Sequence, residues 1–273
     1  MDKKSVISLP WGECVIRSMS YVLLHTKTVF FIIALGLSLL IPEALLSTPL
    51  FCSISSATDC GAQAWGYYLI TALIFIFSSY VIVTFSRFII LKEEPKKFNF
   101  FFGRRELKVF FYSMVLEAIP GFVLGGLFMF LSEIAARQSA QPFSVLILLA
   151  MILIFVGIIV LSRFSLVFCA ASVDNEELTL KRSFVLTQGN TNKIFWGSFV
   201  VSLPLTILMM FSGVFVATAS GSLAGKLLLA GWVLLVSLGN VCFKTSFIAH
   251  VYQYFIYFES KRLEDSEAAA VEK

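Results

Sequence analysis

Three basic residues recur beside phenylalanine at similar intervals along the chain. Arg87, Arg163 and Lys244 are separated by 76 and 81 residues, and each stands at or near the end of a long apolar run. A cation at the edge of a membrane span can extend to the lipid headgroups, form an ion pair, or join a basic pocket that binds an anionic headgroup. All three interpretations stay open. The third predicts that the cations converge on one cytoplasm-facing cavity for an anionic lipid or small solute.

Glu117 is the acid that lies deepest in a predicted membrane span. It stands about nine residues into the third span, which corresponds to about 13 Å of helix rise. An ionised carboxylate at that depth costs several kcal/mol unless it is paired or hydrated. Two roles therefore stay open, a counter-ion for Arg163 or Lys244 and a proton carrier in ion-coupled transport.

The sequence offers no constellation for catalysis or metal binding. Its two histidines are His25 and His250, and the predicted spans contain no aspartate. A Ser/His/Asp set, an HExxH helix, a phosphate-binding loop and paired CxxC motifs are all missing. We therefore expect a protein that is not an enzyme and needs no cofactor. Cys52 and Cys60 fall in a predicted external loop, where they are either a disulfide pair or two thiols.

Long uncharged segments set the architecture. Residues 60–86, 138–162 and 194–225 contain no charged residue, and a membrane span needs about 20 apolar residues. Only 14% of the residues are charged, against about 25% in soluble domains. The pattern predicts an all-α, polytopic integral membrane protein. The six predicted transmembrane helices cover residues 28–48, 67–89, 109–131, 143–165, 195–218 and 227–249.

Lysine and arginine concentrate in alternate loops. They are frequent before span one, after spans two and four, and after span six. Because positive loops stay in the cytoplasm, we expect both termini inside, in a bacterial inner membrane. Basic loops beside spans do not indicate nucleic-acid binding, so the expected partners are membrane lipids.

The spans also suggest an internal repeat. Residues 11–26, 99–108 and 178–193 mix apolar and basic side chains directly before spans one, three and five. Each fits an amphipathic helix at the membrane interface. The chain then consists of three transmembrane hairpins, each preceded by an interfacial helix. They form one domain over 1–258, followed by a charged cytoplasmic tail over 259–273.

The segment Ser183-Phe184-Val185-Leu186-Thr187-Gln188-Gly189-Asn190 follows Ser162-Arg163-Phe164 by about 20 residues and precedes an apolar run. This arrangement resembles the membrane domain of the glycerophosphoryl diester phosphodiesterase group and the related YciC-type six-span inner-membrane proteins of bacteria. The resemblance covers residues 160–200 by motif. In the larger relatives the phosphodiesterase activity belongs to a separate soluble domain, so the resemblance argues against that activity here.

Three functions stay open. The leading one is a non-enzymatic envelope protein that binds or moves an anionic lipid or small solute through Arg87, Arg163 and Lys244, with Glu117 as counter-ion. The second is an ion- or proton-coupled transporter with Glu117 as carrier. The third is a membrane scaffold that recruits a protein partner through its basic interfacial helices. A homo-oligomer is compatible with each.

Overall fold

The computed structural model describes residues 8–30, 60–93, 103–118, 126, 152, 155–157, 159–219 and 223–271. These residues form helices and turns and no β-strand, which confirms the predicted all-α class. The helices are α1 (Trp11–Leu24), α2 (Cys60–Ile90), α3 (Arg104–Ser113), α4 (Leu166–Ser172), α5 (Leu180–Leu186), α6 (Thr191–Ala219) and α7 (Leu223–Val271). Helix α3 continues into a π-helical turn, Met114–Ala118.

Two of the three longest helices, α2 and α6, lie mostly within uncharged runs, whereas α7 begins with apolar residues and contains Lys226, Lys244 and a charged C-terminal part. Helix α2 contains all of the segment predicted as span two, α6 contains span five, and α7 contains span six. A helix satisfies its backbone hydrogen bonds internally, so it suits a predominantly apolar segment. Helix α7 also continues past residue 258 into the predicted tail and ends at Val271.

By length and composition, one described stretch could cross a membrane. It is Phe155–Ser172, and the shorter apolar helix Phe75–Ile90 falls below that length. The stretch begins twelve residues after the predicted start of span four and extends beyond its predicted end at residue 165. Six spans were expected from the sequence. The described residues support one membrane-spanning candidate, so the six-span arrangement is a proposal taken up below.

Helix α7 forms the centre of the packing. It contacts α1, α2, α4 and α6, while α3 packs on α2 and α4. Its side chains Phe247 and Phe255 are almost completely buried, together with Phe85 of α2, Leu166 of α4 and Ile194 of α6. Helix α1 covers this core with one face. Its buried residues are Cys14 and, one, four and eight positions after it, Val15, Ser18 and Val22, a spacing that places them on one side of a helix.

The chain bends between residue 162 and the start of α4. The amides of Arg163, Phe164 and Ser165 donate to carbonyls three residues back instead of four, at 3.0–3.3 Å. Two serine hydroxyls compete for the same kind of acceptor, since Ser162 Oγ donates to the carbonyl of Ile159 and Ser165 Oγ to that of Ser162. Such local side-chain bonds favour a turn over a continuous helix. The bend presents Arg163 and its carbonyl to the segment that contains α5.

Candidate functional site

The side chain of Arg163 is fixed in place by two neighbours. Its Nε donates to Thr191 Oγ1 at 2.7 Å, and its guanidinium carbon lies 4.3 Å from the centre of the Phe184 ring. A guanidinium over an aromatic face gains about 0.5–2 kcal/mol of cation–π attraction. An arginine has five N–H donors. With Nε bonded, the two terminal nitrogens have no hydrogen-bond acceptor among the described residues.

The backbone of Arg163 is held by the segment 183–190, which contains the end of α5. Ser183 Oγ donates to the Arg163 carbonyl at 2.8 Å, and Thr187 Oγ1 lies 3.3 Å from the same oxygen. Both residues are fully buried, and they lie four positions apart, so they share one face of α5 and its C-terminal turn. The Ser183 hydroxyl satisfies a carbonyl that the bend removes from regular helical bonding, and the Thr187 hydroxyl, which lies 2.9 Å from the Ser183 carbonyl, is a second donor within reach.

The end of the same segment connects α5 to α6 and to the N-terminal residues. Gly189 has a φ of +83°, a conformation that glycine adopts without a steric penalty. The side chain of Asn190 is buried, and its Oδ1 accepts from the amide of Leu9 at 2.9 Å. Lys193 donates to Ser8 Oγ at 2.7 Å. Residues 8 and 9 are thereby tied to the first turn of α6.

A cavity of about 410 Å³ opens beside Arg163. Its polar lining comes from Arg163, Gly189, Thr191 and Asn192, and its apolar lining comes from Ile159, Val160 and Phe184. None of the described residues that line this cavity carries a carboxylate. Residues 191 and 192 begin α6, and the first amides of a helix lack intrahelical acceptors and favour negative charge. The cavity therefore suits an anion with an apolar part.

Arg87 has a different environment from Arg163. Its Nε and Nη2 donate to the Glu93 carboxylate at 2.6–2.9 Å, and its Nη1 donates to the Ser172 carbonyl at 3.2 Å. Glu93 comes close because Lys92 adopts a left-handed conformation, with φ of +56°, at the end of α2. Arg87 therefore links α2 to the end of α4. An ion pair was one of the three interpretations of this residue, but the sequence did not identify Glu93 as its partner.

A second ion pair joins α3 to the turn that follows α4. Arg105 binds Asp174, and Lys108 of the next turn lies 3.4 Å from Glu176. The hydrogen bond from Arg105 lowers the pKa of the Asp174 carboxyl; burial opposes this, and the charges of Arg105, Arg87 and Lys108 lower the pKa further. The same hydrogen bond raises the pKa of Arg105.

The ion pair between Arg105 and Asp174 should make a small contribution to the free energy of unfolding that depends on pH. A carboxyl whose pKa is lowered by folding stabilises the folded state above its unfolded pKa of about 3.9, and that contribution is lost as the pH falls below it. Asp174→Asn should destabilise the protein at pH 7 by less than about 1 kcal/mol, because both side chains are nearly half exposed. Denaturant titrations should show the difference between variant and parent shrink as the pH falls below about 3.9 and disappear below the lowered folded-state pKa of Asp174. A difference that persists there would contradict this account.

The predicted convergence of three cations is not what the described contacts show. Arg163 lines the cavity described above, whereas Arg87 and Lys244 are not among the residues that define it. Lys244 lies on α7 with an exposed side chain. The backbone of Glu117 lies in the π-helical turn after α3, and its side chain is outside the described residues. The pairing of Cys52 with Cys60 also lies outside them.

The chain's two histidines flank one aromatic ring. His25 stacks on Tyr21 with ring centres 4.2 Å apart, and His250 meets the same ring edge-on at 5.8 Å. In each histidine Nδ1 lies 2.7–2.9 Å from the carbonyl four residues earlier. Burial lowers the pKa of His250. These contacts indicate a packing role for both histidines.

Several residues that position Arg163 were missed as site residues. Ser183, Thr187 and Asn190 were recognised as part of a motif without a role, and Thr191 was not singled out. The signal was the run of hydroxyl and amide side chains inside an otherwise apolar sequence, since such groups need a partner when buried. Comparison with protein-family models, curated proteins and solved structures found no match for this chain.

Proposed function

We propose that this chain is a non-enzymatic, six-span protein of a bacterial inner membrane that binds the phosphate of an anionic lipid at Arg163. The observation that carries the proposal is the cavity beside Arg163, where a fixed guanidinium meets the start of α6 and an apolar wall. Of the three cations considered from the sequence as ligand-binding residues, the proposal keeps only Arg163. Arg87, paired with Glu93, serves to hold the helices together.

The chemistry of the cavity favours a phosphate over other ligands. The terminal guanidinium nitrogens form a fork that matches the oxygens of a phosphate, and the start of a helix adds amide donors. Thr191 and Phe184 hold that fork before any ligand binds, so little side-chain entropy is lost on binding. Among the described residues that line the cavity, none carries a carboxylate that could neutralise the cation.

The apolar side of the cavity favours a lipid over a soluble anion. Ile159 and Val160 line it, and the exposed apolar residues Phe155 and Val156 continue the same stretch of chain. An acyl chain could lie along this stretch while its phosphate contacts Arg163. Basic pockets between membrane helices on the cytoplasmic side bind lipid headgroups in this way.

Two further observations support the membrane setting. Helix α6 has 29 residues, or about 43 Å of helix, with no charged residue after Lys193. Its described outer face exposes large apolar side chains: Trp196, Phe199, Val200, Leu203, Ile207, Leu208 and Phe211. A surface of that kind suits lipid acyl chains. The six-span topology, the cytoplasmic termini and membership of the YciC-type group are part of this proposal.

The test measures lipid retained by protein purified in mild detergent from the native membrane. Wild-type protein should retain an anionic phospholipid selectively, and Arg163→Gln should lower that retention about tenfold or more, because hydrogen bonds to a charged group contribute about 1.5–3 kcal/mol. Arg163→Lys should restore part of it, since lysine supplies charge without the fork. Native mass spectrometry, with lipid extraction, gives the bound species.

Lys244→Gln is the matched control, because it removes an exposed cation that does not line this cavity. It should leave retention unchanged. Retention of only bulk-like lipid by wild type, or equal loss in the Lys244 and Arg163 variants, would contradict the proposal. The transporter alternative depends instead on Glu117, and the π-helical turn is the feature that favours it, because such turns are frequent at functional sites.

A further inference from the structure

We propose that a second cavity, between α3, α4 and the segment 174–181, binds a phosphate monoester, and that the Glu176 carboxylate competes with this ligand for Lys108. The cavity has a volume of about 370 Å³, which is within the range of small-molecule sites. It shares no lining residue with the cavity beside Arg163. The inference is therefore independent of the proposed function.

The cavity has an apolar floor and a charged rim. Its floor is formed by the buried residues Val167, Ala170, Ala171 and Leu178. Its rim carries Lys108 and Lys181, Asp174 and Glu176, and the aromatic residue Tyr112. A ligand for such a site combines a charged group with an apolar body.

The charges of the rim favour a dianion. Asp174 is paired with Arg105 and lies near Arg87, so its charge is already neutralised. The remaining groups are two lysines and Glu176. If Glu176 moves away, Lys108 and Lys181 present two positive charges together. A phosphate monoester carries about −1.5 to −2 charges at neutral pH, whereas a phosphodiester carries one.

The contact between Glu176 and Lys108 is weak enough to be displaced. The two charged atoms are 3.4 Å apart, and the Glu176 side chain is 79% exposed. Exposed pairs of this kind contribute little to stability. A phosphate offers more charge than the carboxylate and three oxygen acceptors, so it binds the same lysine more strongly.

The neighbouring acid has a different partner. Glu177 lies 3.2 Å from Arg182 and does not line this cavity. Glu177→Gln therefore removes the same charge, one residue away, without touching the site. It is the matched control for Glu176→Gln.

The experiment is a calorimetric titration of the full chain in phosphatidylcholine nanodiscs with phenyl phosphate, whose ring suits the apolar floor. A second arm supplies the monoester as phosphatidic acid within the nanodisc. Saturable binding in the first arm identifies a soluble ester as the ligand, and saturable binding only in the second identifies a lipid. Both outcomes support a phosphate monoester site. Titrations are repeated in the Arg163→Gln background, which separates this cavity from the other one.

We expect Glu176→Gln to tighten binding about fivefold, because it removes the competing carboxylate. Lys108→Gln/Lys181→Gln should abolish saturable binding, and Glu177→Gln should match wild type. Unchanged thermal unfolding of each variant shows that the substitutions act locally. The inference is overturned if neither monoester binds saturably in the Arg163→Gln background, or if Glu176→Gln and Glu177→Gln give equal affinities.

Discussion

Gly197→Ala should destabilise the protein more than any other single-methyl addition at the described glycines. A Cβ placed on Gly197 would lie 2.2 Å from the nearest ring carbon of Phe247 and 2.6 Å from the next. That separation is far inside van der Waals contact, and the Phe247 ring is fully buried in the core between α6 and α7. The ring cannot move away without displacing its neighbours. We expect a loss of about 3 kcal/mol in the free energy of unfolding, at the upper end of overpacking costs.

The matched control is Gly231→Ala on α7, since a Cβ there meets nothing within 4 Å. That variant should be neutral or slightly stabilising, because alanine favours a helix over glycine. Phe247→Leu should rescue Gly197→Ala in part by removing the ring. The free energies come from denaturant titrations in detergent micelles. Equal effects of the two glycine substitutions, or no rescue by Phe247→Leu, would contradict the close approach of α6 and α7 at Gly197.

Helix α6, which carries Thr191 of the candidate site, could be predicted from the sequence because its signal is long. Long apolar runs with few charges predict α2, α6 and the first part of α7, because a helix satisfies its own backbone hydrogen bonds where water is excluded. The same reasoning does not predict how the helices pack, as Gly197 shows. The sequence places a glycine among large apolar residues, but only the packing of α6 on α7 reveals that Phe247 fills its space.

The site residues were predicted singly, and their partners were not. One of the three interpretations left open by the sequence placed Arg87 and Arg163 in a common cavity, because they occupy equivalent places in a repeat. Arg87 instead pairs with Glu93, since Lys92 turns the chain back in a left-handed conformation. A turn made by one lysine has no periodic signal in the sequence. The repeat therefore predicts the positions of the cations along the sequence, but not the groups that accept hydrogen bonds from them.

The bend at Arg163 had a visible signal whose meaning was missed. Ser162 and Ser165 flank the arginine, and serines at this spacing compete with the helix backbone for carbonyls. Ser183 and Thr187 lie four apart, on one face of the following helix. Together these four hydroxyls describe a bend and the side chains that stabilise it, but the two pairs are separated by about 20 residues. Sequence spacing alone does not show that they meet.

Removing both hydroxyls that bind the Arg163 carbonyl should have the second large effect. Ser183→Ala/Thr187→Val removes both hydroxyls that lie within hydrogen-bond distance of that carbonyl, and a buried polar group left without a partner costs about 1–3 kcal/mol. Each single variant should lose less than about 1 kcal/mol, because one hydroxyl stays within reach: in Ser183→Ala, the Thr187 hydroxyl can turn to the Arg163 carbonyl from the Ser183 carbonyl, which it contacts at 2.9 Å. The double variant should therefore lose more than the sum of the single ones, as expected for residues that share an acceptor.

The same double variant should also lower lipid retention, because the carbonyl contacts set the position from which the Arg163 side chain reaches Thr191 and the cavity. Thr206→Val is the matched control, since Thr206 Oγ1 donates to the Ser202 carbonyl within its own helix and is exposed. A double-mutant cycle of unfolding free energies, measured beside bound lipid per protein, separates the two effects. Additive losses would show that the two hydroxyls act independently. Full lipid retention in a destabilised double variant would show that the bend supports the fold without positioning Arg163, and binding would then depend on the guanidinium contacts to Phe184 and Thr191 alone.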